Sequence, residues 1–149
     1  MDDISIDRTD KKIITMLQKN SRISLKDIAS QNYMSSPAVA SRISKMQEIG
    51  LIKNFTTEID YSLIGFHIKA FINLEVAPKD KNKFYSFIQN IPNVIECSCV
   101  TGDYSMLIQV LYNRPEELDH LINEFQQFGR TKTLIAFSTS IDHRPLLII

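Results

Sequence analysis

Few side chains in this sequence are spaced for catalysis or for metal binding. Cys97 and Cys99 lie two residues apart, so on a strand both point to one face, but no histidine or carboxylate nearby completes a set of four ligands. The three histidines are scattered, with no nucleophile at a suitable spacing, and none of the four glycines belongs to a phosphate-binding loop motif. The sequence therefore predicts a protein that is not an enzyme and has no metal or cofactor.

One segment instead carries side chains suited to nucleic acid. Val39, Ile43 and Met46 recur at helical spacing, and the opposite helix face is expected to carry small, hydroxyl and cationic residues. Small residues allow close approach to base edges, hydroxyls bond bases or phosphates, and cations neutralise phosphate charge. The candidate DNA-contacting residues are Ser35, Ser36, Ala38, Ser41, Arg42 and Lys45.

The surrounding sequence predicts three short helices. Asp7 is placed to cap the first, Ser24 the second, which ends near Gln31, and Ser35 the third, which ends at Gly50. A tight turn between the second and third helices gives a helix-turn-helix, whose last helix can enter the major groove of DNA. By pattern alone, a DNA-binding domain and a protein-interaction module both remain open.

The charge distribution supports a DNA-binding domain only in the first part of the chain. The chain has 17 basic and 17 acidic residues, but residues 1–53 hold nine bases and six acids, so the positive excess lies in the first third. Apolar residues make up 44% of the 149, as in an ordinary globular protein. Two cysteines, an acidic N-terminus and the lack of a long apolar run predict a cytoplasmic protein.

The rest of the chain alternates between strand and helix patterns. Residues 52–65 are expected to form a linker strand, and beyond them the order is βαββαβ, that of a ferredoxin-like sandwich. The predicted strands cover residues 66–76, 94–101, 104–112 and 131–141. One predicted helix lies between Pro78 and Pro92, with its apolar stripe over 84–91, and the other covers 115–128.

Both faces of the predicted sheet carry apolar residues. Phe71, Leu107 and Leu111 lie opposite the row that faces the helices, so a second copy of the chain is expected to bury this face. The apolar tail, residues 145–149, is expected to pack on that partner subunit.

Taken together, these features resemble the Lrp/AsnC family of feast/famine transcriptional regulators. The resemblance covers nearly the whole chain and rests on the order of several motifs, among them a Thr-Gly-Asp-Tyr turn. These motifs are residues 6–10, 21–24, 50–52, 94–97 and 100–104, with Ser35, Val39, Arg42, Ile43 and Met46. The implied fold is α+β, with a winged-type helix-turn-helix domain (1–51), the linker strand (52–65) and a ferredoxin-like dimerisation and effector-binding (RAM) domain (66–149).

The resemblance implies a homodimer that assembles into tetramers or octamers, binds double-stranded DNA and responds to an amino acid held between dimers. The matching effector positions are Thr101, Gly102, Asp103, Tyr104 and the neighbouring Ser105. Gly102 allows backbone N–H groups to approach a carboxylate, and Asp103 is suited to an ammonium group. A plain tight turn is the other interpretation of the same residues.

The chain departs from the family pattern at two positions. Ser105 stands where a second acid is usual, which leaves open an altered or absent effector. Tyr33 stands where glycine is common, so Asn32 is expected to adopt the left-handed conformation, and Tyr33 could face a phosphate. Three functions remain: a ligand-responsive regulator, a ligand-independent DNA-organising protein, and a metabolite-binding ferredoxin-like module.

Overall fold

The computed structural model describes residues 5–146 and Ile148. They form two compact units: one holds the described residues up to Ile59 and those from Ile141 onward, and the other holds Asp60–Ser140. We number the helices and strands in chain order. The helices are α1 (Arg8–Lys19), α2 (Leu25–Gln31), α3 (Ser36–Glu48), α4 (Lys81–Ile88) and α5 (Pro115–Phe125), and the strands are β1 (Ile68–Leu74), β2 (Val94–Cys99), β3 (Met106–Tyr112) and β4 (Thr131–Ala136).

The three helices of the first unit begin where the sequence predicts. Asp7 accepts a hydrogen bond from the backbone N–H of Asp10 at 2.8 Å, and the Asp10 carboxylate accepts one from the N–H of Asp7 at 3.2 Å, which completes a capping box. Ser24 and Ser35 cap α2 and α3 by the same type of bond. These caps satisfy backbone N–H groups that a helix start leaves without partners.

A small core joins α1, α2 and α3. The apolar stripe predicted for α3 is buried, and it meets residues of α1 and α2 in one cluster that consists of Ile13, Ile14, Ile28, Ala29, Val39, Ile43 and Met46. Of the other apolar residues expected on the inner faces of α1 and α2, Leu17 is partly buried against this cluster and Leu25 is 41% exposed. Because this cluster includes the predicted stripe of α3, the orientation of that helix in the domain is fixed by burial of apolar surface.

The turn between α2 and α3 differs from the prediction in one residue. Tyr33, not Asn32, adopts the left-handed conformation, with φ of 54°, whereas Asn32 has φ of −112°. The Asn32 side chain instead donates a hydrogen bond to the Ile28 carbonyl at 2.8 Å, which holds Asn32 at the end of α2. The non-glycine residue in the left-handed region is therefore the tyrosine, at a cost of about 1–2 kcal/mol.

Residues 52–65 do not form the predicted strand. Residues 52–60 have no ladder partner, and Tyr61–Ile64 form a short 3₁₀ helix that Asp60 caps. An alternating apolar pattern becomes a strand only when a neighbouring strand satisfies its backbone.

The C-terminal tail lies with the first unit rather than with the sheet. Ile148 packs, partly buried, against the core of α1–α3 in its own chain, although the tail was predicted to pack on a partner subunit. Leu146 is 82% exposed, and residues 147 and 149 of the predicted apolar tail lie outside the described residues. Burial of Ile148 removes apolar surface from water without a second chain.

The second unit has the predicted ferredoxin-like arrangement. Its antiparallel sheet has the strand order β2-β3-β1-β4, and residues of α4 and α5 pack on the face formed by alternate residues of β1 and β3. The buried centre of this core is made by Ala70, Ile72, Leu74, Phe84, Met106, Ile108, Val110 and Phe125.

All four strands are shorter than predicted: β1 loses residues at both ends, β2 ends at Cys99 instead of residue 101, β3 begins at Met106 instead of residue 104, and β4 ends at Ala136 instead of residue 141. The ladder between β1 and β4 ends where Lys69 pairs with Ala136, so the predicted extension of β4 to residue 141 has no partner strand. Phe137, the next residue after β4, is fully exposed.

Candidate DNA interface and effector turn

The exposed face of α3 carries part of the predicted DNA-contacting set. Ser41 and Lys45 are exposed and lie one turn apart, and Ser44 shares their face at the same helical spacing although the sequence analysis did not include it. Ser35 is exposed at the helix start, where its hydroxyl oxygen accepts the Ala38 N–H. Among residues 5–146 and 148, nothing accepts a hydrogen bond from the Ser35 hydroxyl.

Two further predicted residues are less open. Ser36 and Ala38 are partly buried at the start of α3. Both are small, so a partner can approach this end of the helix closely, and the backbone N–H groups there favour an anion.

Arg42 does not share the exposed face on which the sequence analysis placed it. Its Nη1 donates to Asp7 Oδ2 at 2.7 Å and to Asp10 Oδ1 at 2.8 Å, and its side chain is 34% exposed. Arg42 lies three residues after Val39 and four before Met46, so it borders the buried stripe and turns toward α1. That spacing was a signal that the sequence analysis missed.

The ion pairs of Arg42 connect α3 to the capped start of α1. The N–H of Asp10 lowers the pKa of Asp7 below its ordinary value of 3.8, and the Arg42 guanidinium lowers it further. Both carboxylates raise the pKa of Arg42, the Asp10 carboxylate more than that of Asp7. Asp10 is almost buried, with a relative exposure of 9%, so its charge is compensated chiefly by Arg42.

Tyr33 extends from the turn between α2 and α3 with 99% of its surface exposed. The φ of 54° directs this side chain into solvent, where its hydroxyl can donate a hydrogen bond. This agrees with the expectation that Tyr33 is open to a partner.

The predicted effector residues form one turn between β2 and β3. Gly102 has φ of 115°, a conformation that favours glycine, and Thr101 and Asp103 on either side of it are exposed. Tyr104 is partly buried. The turn thus presents one carboxylate and one threonine hydroxyl to solvent.

Ser105 has a structural role in this turn. Its hydroxyl oxygen accepts the N–H of Val76 at 2.8 Å and lies 3.3 Å from the carbonyl oxygens of Leu74 and Val76, while its own N–H donates to Leu74 at 3.2 Å. These bonds attach the turn to the end of β1. Ser105 therefore fixes the position of the turn and brings no charge to it.

Three side chains from separate segments meet beside this turn, and the sequence analysis did not identify two of them. The Arg130 guanidinium lies over the Tyr104 ring, 5.1 Å from its centroid, and Arg130 Nε lies 3.4 Å from Glu75 Oε2. Gly129 permits this arrangement, because a Cβ there would lie 1.8 Å from the Glu75 carbonyl oxygen. Glu75, Tyr104 and Arg130 are 26 or more positions apart in sequence, so local spacing gives no signal of their contact.

The cysteines show no reactive geometry. Cys97 and Cys99 pair with Ile108 and Met106 across the ladder and share a face, as predicted, and burial raises the pKa of the Cys97 thiol. The neutral thiol is a poor nucleophile. Within residues 5–146 and 148, no group of three or more His, Cys, Asp or Glu side chains is arranged to hold a metal ion.

Comparison with known families matches both units. The model of the Lrp/AsnC ligand binding domain matches residues 69–146, and that of a winged helix-turn-helix DNA-binding domain matches residues 6–53. The chain belongs to the Lrp/AsnC family. Its function is accordingly DNA-binding transcriptional regulation, which confirms the resemblance inferred from the motifs.

Known members of the Lrp/AsnC family match over nearly their whole length. The transcriptional regulator LrpA of Bacillus subtilis is 33% identical over 131 residues, which are 87% of this chain and 96% of LrpA. The solved structure of B. subtilis LrpC superimposes with a TM-score of 0.87 at 26% identity and covers 94% of this chain and 100% of that one.

A more distant Lrp/AsnC structure shares the fold. This feast or famine regulatory protein from M. tuberculosis, solved in complex with L-methionine, has a TM-score of 0.88 at 21% identity and covers 97% of this chain and 100% of that one. Within residues 5–146 and 148 of the present chain, no helix is long and apolar enough to cross a bilayer.

Proposed function

We propose that this Lrp/AsnC regulator reads DNA with the exposed face of α3. Ser41, Ser44 and Lys45 lie on one side of a helix whose opposite side is fixed in the domain core, and this juxtaposition carries the proposal. The serines reach base edges or phosphates, and Lys45 neutralises a phosphate. Ser35, Ser36 and Ala38 form the open start of the same helix.

In this proposal Arg42 positions α3 and does not contact the DNA. Two carboxylates already use its Nη1, so its main effect is to hold α3 against the start of α1. Tyr33, at the exposed turn, adds a hydroxyl donor toward the DNA backbone.

The protein acts as a homodimer that joins through the outer face of its sheet. Phe71, Leu107 and Leu111 lie on the face opposite the helices, and Leu134, which pairs with Phe71, is 48% exposed beside them. A second copy placed on this face would bury all four side chains. Two helix-turn-helix units related by a dyad would read two half-sites about one DNA turn, or a multiple of it, apart. In this proposal such dimers assemble further into tetramers or octamers.

The effector in this proposal is an amino acid that binds at the turn of Thr101–Ser105. A relative of the same fold is solved with L-methionine, and the turn here offers an open glycine backbone and the Asp103 carboxylate. The protein works by binding and not by catalysis. The ligand-independent DNA-organising function is the second candidate, because Ser105 is committed to backbone hydrogen bonds and supplies no charge.

Fluorescence anisotropy with DNA from upstream of the protein's own gene tests the DNA interface. We expect Ser41→Glu and Ser44→Glu to abolish binding, because each places a negative charge against the phosphates. Ser86→Glu, on the exposed face of α4, is the matched control and should bind as the wild type does. Equal binding by all three variants would refute the assignment of this face.

Adding single amino acids to the same assay separates the two functional candidates. A shift in DNA affinity with one amino acid supports the ligand-responsive regulator. DNA binding without any such response supports the ligand-independent protein.

A further inference from the structure

Beside the effector turn lies a pair of opposite charges that the proposed function does not yet use. Arg130 and Glu75 are 64% and 55% exposed, and their closest contact, between Nε and Oε2, is 3.4 Å. Charge-assisted hydrogen bonds are ordinarily 2.7–2.9 Å long, so this pair is loose. Both charged groups therefore remain open to a ligand.

A second exposed arginine–glutamate pair in the same unit is closer than the Arg130–Glu75 pair. Arg114 contacts Glu117 Oε1 through both Nε, at 3.2 Å, and Nη2, at 3.0 Å, so that pair is closed by two hydrogen bonds. The terminal nitrogens of Arg130 have no hydrogen-bond partner among the described residues. The guanidinium can thus form a two-bond contact with an incoming carboxylate.

The backbone beneath the loose pair is rigid. The N–H of Glu75 donates to the Arg130 carbonyl at 2.9 Å, and Gly129 lies so close to Glu75 that no side chain fits between them. The Tyr104 ring supports the guanidinium from one side. Ser105 ties the turn to Val76, the residue after Glu75. These contacts fix the positions of Arg130, Glu75 and the Thr101–Ser105 turn relative to one another.

We propose that Arg130 and Glu75 determine the specificity of the effector site by adding a second contact to each charged group of a free α-amino acid. Arg130 binds the carboxylate together with the backbone of the turn, and Glu75 binds the ammonium group together with Asp103. This inference rests on the proposed effector role of the turn. An α-amino acid carries both charges on one carbon, so it can bridge the loose pair. Opening an exposed pair costs little, because such pairs contribute only about 0–1 kcal/mol.

Calorimetric titration of the full chain tests this assignment with three forms of each amino acid: free, N-acetylated and amidated. We expect the wild type to bind only the free form, because acetylation removes the ammonium charge and amidation removes the carboxylate. Arg130→Gln should weaken binding of the free form about tenfold or more and should reduce the preference for the free form over the amide. Glu75→Gln should reduce the preference for the free form over the N-acetyl form.

Arg114→Gln and Glu117→Gln are the matched controls, since they break an exposed pair of the same chemistry on α5. Both should keep the affinity and the selectivity of the wild type. If Arg130→Gln and Glu75→Gln also keep them while the wild type binds, the pair is not the specificity determinant, although the effector site stands. If the wild type binds DNA but no amino acid at millimolar concentration, both the effector role of the turn and this inference are overturned.

Discussion

Replacing Arg42 by alanine separates a positioning residue from a DNA contact. The substitution removes the hydrogen bond to Asp10 Oδ1 at 2.8 Å and leaves a carboxylate with 12% side-chain exposure without its cation. A hydrogen bond to a charged group contributes about 1.5–3 kcal/mol, and exposure of one third of the Arg42 side chain reduces this. We expect the free energy of unfolding of the helix-turn-helix unit to fall by about 1.5–2 kcal/mol.

Three measurements on the same variant distinguish the two roles of Arg42. The melting temperature should fall by about 4–8 °C for each kcal/mol lost. DNA affinity at 25 °C should change little, because a domain of ordinary stability, about 5 kcal/mol or more, stays folded after such a loss. The slope of log K against log salt should equal that of the wild type, since no phosphate contact is lost.

Lys45→Ala gives the reverse pattern and serves as the reference. It should leave the melting temperature unchanged and reduce the salt slope by about 0.9 for each phosphate contact removed. Lys79→Ala, an exposed lysine of the other unit, controls for the loss of one positive charge. If Arg42→Ala reduces the slope as Lys45→Ala does, Arg42 contacts the DNA backbone and the positioning role is refuted.

The remaining predictions concern other contacts. Gly129→Ala should destabilise the sheet unit by more than about 2 kcal/mol in urea unfolding, because the new Cβ would lie 1.8 Å from the Glu75 carbonyl oxygen. An unchanged unfolding midpoint would contradict the close approach of Gly129 to Glu75. Asp7→Asn should keep the cap but remove a carboxylate whose pKa is lowered in the folded state. The wild type should therefore be more stable than the variant at neutral pH, and this difference in stability should disappear as the pH falls through the lowered pKa of Asp7. A difference in stability that does not depend on pH would contradict this expectation. Ile148→Ser should lower the melting temperature of the helix-turn-helix unit, whereas Leu146→Ser, at an exposed site, should not. Asp103→Ala should abolish any amino-acid response and leave DNA affinity intact; a normal response would place the effector elsewhere.

Features set by neighbouring residues were predictable from the sequence. The caps at Asp7, Ser24 and Ser35 depend on residues three positions ahead, and the apolar stripes follow helix and strand periods. The order βαββαβ follows because each element has its own period and its own stop signal.

Features that depend on distant residues were not predictable in this way. The partners of Arg42 lie 32 and 35 positions earlier, and the contact of Arg130 with Tyr104 brings together two segments of the fold. The linker strand was predicted from alternation alone, which says nothing about a pairing strand. Ile148 was assigned to a partner subunit because apolarity shows that a residue needs burial and does not show where.

Titration of the wild-type protein with salt, on DNA from upstream of its own gene and on unrelated DNA, tests whether the protein binds DNA sequence-specifically. We expect log K to fall linearly with log salt on both DNAs, and we expect the upstream DNA to bind more tightly at every salt concentration. Equal affinity for the two DNAs would contradict sequence-specific regulation. Absence of binding at low salt would contradict the DNA-binding role of α3 itself.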